Sequence, residues 1–122
     1  MVLLAVVSSS ASAEWIAANR DKSHAVYANP ATIRKAGNTV KMWVLEDYET
    51  MQGSADMRYM SAKSQHEYNC KKERGRIIYL SLHSEHMGKG KAVYSDNDPG
   101  RWEAVASDAT GETLLEIACG KP

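Results

Sequence analysis

Residues 66–76, HEYNCKKERGR, place Cys70 four residues after His66 and directly before a basic run. A thiol in this setting has four uses: nucleophile, metal ligand, redox switch or structural bridge. In an extended segment His66, Tyr68 and Cys70 project to one side, which is the geometry a Cys/His dyad needs. A zinc site needs about four ligands at short spacings, yet the chain contains neither C-x2-C nor H-E-x-x-H. His83 and His86 in HSEH are three residues apart, and in a strand they face opposite ways. Gly88 and Gly90 lack the third glycine of a dinucleotide fingerprint and read as a turn before a strand. Asp47 with Glu49, and Asp96 with Asp98, pass for paired carboxylates, but at a strand end and in a turn such groups are more often solvated or turn-forming. No general base, metal set or cofactor is nominated, and the chain reads as a non-enzyme.

The redox state of Cys70 depends on where the chain goes. The opening MVLLAVVSSSASAEW has an apolar run, Val2 to Val7, a small polar stretch, and Ala11-Ser12-Ala13 in the small-x-small cleavage pattern. Residues 1–13 are therefore expected to be a signal peptide, with 14–122 as one mature domain. The apolar run is short and no Lys or Arg precedes it, as in a leader truncated at its start; a first strand from Met1 is the competing reading, which Ser8 to Ser10 would interrupt. No other stretch approaches the ~20 consecutive apolar residues of a membrane span. At 43% hydrophobic and 25% charged residues, the composition is that of a globular domain.

Exported chains with an even cysteine count are read first as disulfide-bonded, and Cys70 and Cys119 are the only two cysteines. Cys119 ends SDATGETLLEIACG, which carries the marks of a helix: Thr110 or Ser107 as N-cap, Glu112 at the positive end of the dipole, and Gly120 as terminator. Leu115 and Cys119 are i,i+4 neighbours there, so Cys119 faces the core. An oxidised Cys70 attacks nothing; the dyad and metal readings stand only if it is reduced.

The elements that would position these residues are mostly β. EWIAA and HAVYA are short strands, and NPATIRKAGN breaks them with Pro30 and Gly37-Asn38 around one helical turn. TVKMWVLEDY is apolar on both faces, as in a central strand, and ETMQGSADM is looser. Arg58 to Cys70 and Arg76 to Ser84 form a long hairpin turning at KKERG. KAVYS and RWEAV add short strands. The fold class is α+β: an antiparallel β-sheet packed with a C-terminal α-helix and one disulfide.

Taken together, YANPATIRKAGNTVKMWVLEDYE, SAKSQHEYNC, RIIYLSLHS, GKGKAVYS, RWEAV and LLEIACGK resemble the bacterial surface-adhesin protein E-like domain over nearly all of the mature chain. The resemblance rests on their combination and order. It implies an antiparallel sheet with a C-terminal helix, a disulfide matching Cys70 and Cys119, no catalytic activity, and binding of host matrix or serum proteins. Residues 1–13 hold no cysteine to receive acyl chains, so a periplasmic or secreted protein is expected rather than a lipid-anchored one.

Charge supplies the one candidate binding surface read from the residues themselves. The chain is neutral overall, but Arg58 to Lys91 holds eight basic residues against three acidic ones. Arg58, Lys63, Lys71, Lys72, Arg74 and Arg76 form the candidate ridge, suited to an acidic protein or glycan; the plainer reading is a solvated hairpin tip. Nucleic acid is not expected of a neutral exported protein. A homodimer is compatible with these features. The leading function is an exported, non-catalytic binding module, and the alternative is a small periplasmic protein that inhibits an envelope enzyme or assists assembly.

Overall fold

The computed structural model describes residues 14–105 and 107–120; the expected signal peptide, residues 1–13, lies outside the described residues. Among the described residues seven antiparallel strands and one α-helix make up the fold: β1 (Ile16–Arg20), β2 (His24–Ala36), β3 (Thr39–Ser54), β4 (Met57–Asn69), β5 (Arg74–His83), β6 (Ala92–Asp96), β7 (Glu103–Ala104) and α1 (Ala109–Cys119). The sheet runs β1 to β6 in sequence order, with β7 on the far end of β5 beyond β6. The protein is thus largely antiparallel β with one C-terminal helix.

Alternation decides what each face does. On β3, Val40, Met42 and Val44 point to one side and are almost fully buried. They pack with Val26 and Ala28 of β2, Tyr68 of β4, and Leu114, Leu115 and Ala118 of α1. The helix crosses β1 to β4, so the apolar face that its 3.6-residue period creates meets the even-numbered face of β3. Burying one leucine contributes about 1.5–3 kcal/mol, and the two adjacent leucines of α1 anchor it.

The other face of β3 is covered at one end only. Leu45 is fully buried there beneath the 3-10 turn His86–Gly88. The Ser61 hydroxyl donates to the Glu85 carbonyl at 2.6 Å and accepts from the Gly88 N–H at 2.8 Å, while Asp47 accepts from the Met87 N–H at 2.8 Å. Gly88 is required here: its φ is +73°, and a Cβ would lie 2.6 Å from the Lys63 side chain. Asp47 therefore fastens a turn, and Asp96 accepts from the Asp98 N–H at 2.9 Å, so one carboxylate of each suspected pair is engaged by backbone.

Three local expectations are corrected. NPATIRKAGN is not a helical turn but the bulged second half of β2, where Asn29 to Arg34 lies opposite only Trp43 to Lys41. Pro30 has no N–H to give the ladder, and the Thr32 hydroxyl fills the gap by accepting from the Trp43 N–H at 3.0 Å and donating to the Asn29 carbonyl at 2.6 Å. ETMQGSADM is not loose: it extends β3 and turns at Ala55 into β4. The N-cap of α1 is Asp108, whose carboxylate accepts from the Gly111 N–H at 2.7 Å, whereas the Thr110 hydroxyl engages the Asn19 amide. Gly120 ends the helix in the left-handed region as expected. Replacing Asp108 with Ala is expected to cost about 1 kcal/mol, a drop of roughly 4 °C in Tm; a melt unchanged by Asp108→Ala would place the cap elsewhere.

Candidate functional site

The β4–β5 turn is held from three sides. Cys70, just past β4, is bonded to Cys119 at the end of α1, with Cα atoms 5.7 Å apart, inside the range a bridge needs. The Asn69 side chain accepts from the Lys72 N–H at 3.1 Å, and Glu73 takes a positive φ while its carbonyl accepts from the Val105 N–H. β7 then pairs with Arg74 and Gly75. On this fixed turn Lys71, Lys72 and Arg74 are exposed.

The candidate ridge is not continuous. Arg76 is half-buried: its Nε donates to the Glu67 carboxylate at 2.9 Å and its guanidinium lies 4.6 Å from the centre of the Trp102 ring. Trp102, with Asn69, Lys72 and Arg74, walls a shallow hollow beside the turn. Arg58 is exposed at the opposite end of β4, about 40 Å away at 3.3 Å per residue. Lys63 lies mid-strand, its ammonium 5.8 Å from the centre of the Trp43 ring. The structure thus brings together Lys71, Lys72 and Arg74, with Arg76 held beside them, and separates Arg58 and Lys63. Trp102, which the sequence marks only within the short strand RWEAV and the family resemblance, joins this group through the structure.

His66 and Tyr68 sit on the helix-covered face, in a cleft of about 490 Å³ walled by α1, β5 and residues 100–105. The imidazole is engaged on both nitrogens, Nδ1 3.1 Å from the Tyr68 hydroxyl and Nε2 3.0 Å from the Ser64 hydroxyl. Burial pushes its pKa down to about 4 and raises that of Tyr68. With both imidazole nitrogens engaged by hydroxyls and the Cys70 sulfur locked in a disulfide, His66 and Cys70 do not form a nucleophilic dyad. Among the described residues no group of three or more His, Cys, Asp or Glu is arranged to hold a metal ion, and no helix is long and apolar enough to cross a membrane.

These features define a disulfide-stapled sheet-and-helix domain that presents a rigid basic turn. The sequence matches the surface-adhesin protein E family over residues 15–120, and the chain belongs to that family. Among solved structures it is similar to Haemophilus influenzae protein E: crystal form II aligns with a TM-score of 0.64 at 12% identity, covering 84% of this chain and 91% of that one. The selenomethionine form gives a TM-score of 0.62 at 12% identity, covering 84% and 90%. At that identity the likeness is one of fold. No curated protein matches the sequence. The family is one of adhesins and not an enzyme class, which agrees with the expected recognition and with an adhesin-like module.

Proposed function

We propose that this protein is an exported, non-catalytic adhesin-like module that binds an acidic protein or glycan through the basic end of its β4–β5 hairpin. One observation carries the reading: Lys71, Lys72 and Arg74 project from a turn that a disulfide, a side-chain cap and a third strand hold in place. Such a turn meets a partner with little conformational entropy left to lose. Its charges lie within the ~8 Å Debye length of physiological salt, so their fields reinforce one another. Trp102 beside them adds a flat apolar contact of the kind that dominates binding energy. Export rests on the leader pattern of residues 1–13, and membership of an adhesin family supports an extracellular partner.

The test is retention on immobilised heparin and on an acidic matrix protein at low and at physiological salt. Lys71→Gln, Lys72→Gln and Arg74→Gln together should reduce retention and its salt dependence, while each exposed change costs under about 0.5 kcal/mol of stability. Arg76 is left intact because Glu67 and Trp102 depend on it. Equal retention of parent and triple variant would reduce the turn to a solvated tip.

A further inference from the structure

The uncovered part of the second sheet face holds a groove that neither the basic turn nor the helix explains. Register builds it: Trp43, Gln65 and Tyr79 lie opposite one another on β3, β4 and β5, and Lys63 with Ser81 forms the next row. Trp43 and Tyr79 meet edge to face across Gln65, their centroids 5.5 Å apart, and Asn97 closes the outer side. The hollow is about 510 Å³, within the range of small-ligand sites.

Its polar groups are notable for what they do not bind. Ser81 is engaged with His83 at 2.8 Å. The Trp43 indole N–H, the Lys63 ammonium, the Gln65 and Asn97 amides and the Tyr79 hydroxyl have no hydrogen-bond or ion-pair partner among the described residues, and none is sealed in the interior. The lining contains one lysine and no carboxylate. Five such polar groups around two aromatic rings form a set of outward-facing donors and acceptors, and Nδ1 of His83, which also lines the groove, is buried with no partner among the described residues.

We propose that this groove binds a sugar unit bearing a carboxylate. Aromatic rings present an electron-rich face to the C–H face of a pyranose. Planar amides and a phenol match ring hydroxyls that both donate and accept. Lys63, held over Trp43 without an acidic partner, supplies a charge-assisted bond to the carboxylate. The groove is a second site, separate from the turn that carries the proposed adhesive function, and stands or falls without it.

The experiment titrates the protein with a glucuronate-bearing hyaluronan hexasaccharide, with 3′-sialyllactose and with neutral chitohexaose, following the indole resonance of Trp43 assigned from Trp43→Leu. At least one of the two carboxylated sugars should shift that resonance and bind about tenfold more tightly than the neutral one, the two arms separating a uronate from a sialate source. Lys63→Gln, a change on a half-buried side chain with no ion pair, should erase the preference for charge and leave neutral binding unaltered. Tyr79→Leu should weaken all binding. The triple variant of the basic turn should bind like the parent. No shift of Trp43 with either carboxylated sugar, an unchanged preference in Lys63→Gln, or loss of binding in the turn variant alone would overturn the assignment.

Discussion

Replacing both Cys70 and Cys119 with Ala is expected to lower the unfolding free energy by about 4 kcal/mol, the loop-closure entropy of a bridge spanning 49 residues. For a domain of this size that is a large part of the ~5–15 kcal/mol that keeps it folded. Tm should fall by roughly 15 °C or more, and reducing agent should act on the parent in the same direction and leave the double variant unaffected. The physical reason is topological. The bridge ties the C-terminal end of α1 to the β4–β5 turn, and α1 otherwise holds the sheet mainly through one apolar face. A melting point lowered by only a few degrees would mean that Leu114, Leu115 and Ala118 seat the helix without it. The variant should also loosen the basic turn, so retention on the acidic matrix should fall even where the domain is still folded.

Lowering the pH should destabilise the protein well above the range in which its carboxylates protonate. His66 has an ordinary value of 6.5 when unfolded and about 4 in the folded protein, because burial disfavours the charged ring. Between those values the unfolded chain binds the proton more readily, so stability is fully present above pH 6.5 and is lost as pH falls toward 4. The loss approaches about 3 kcal/mol for this group. His83 is lowered too, by burial and then by the nearby charge of Lys63, and adds in the same direction. Asp21, held down to about 2 by backbone N–H groups of His24 and by Ser23, acts only at lower pH. Thermal melts from pH 7.5 to 4 should show the fall, and His66→Gln should remove most of it. A parent curve flat across that range, or one that His66→Gln leaves unchanged, would show that the ring accepts its proton in place.

Much of the frame was legible in the sequence. The long hairpin, the central two-sided strand, the terminal helix and its glycine stop are written in periods of two and 3.6 residues, which each segment encodes alone. The bulge at Pro30 was legible only as a break, because its repair comes from a Thr32 hydroxyl reaching a different strand. Asp108 is not distinguishable as the cap from Ser107 or Thr110 by sequence alone, because capping depends on which residue the chain leaves in extended conformation. Adjacency in sequence places Lys71, Lys72 and Arg74 on one turn, while Arg58 and Lys63 lie along β4 away from it.

Two cysteines in a chain with an export-like leader determined the staple, since a single pair has a single partner choice, and the order of the segments determined the family. Tertiary structure alone decided the surfaces. Cross-strand register put Trp43, Gln65 and Tyr79 into one row although they are distant in the chain. The pairing of Glu67 with Arg76, under the ring of Trp102, took one cation out of the exposed set. Packing around His66 lowered its pKa. The difference is physical: local periodicity and a lone cysteine pair leave few alternatives to choose among, whereas a face assembled from three strands depends on every bulge between them, and one residue of slip would have turned each of these side chains to the opposite side.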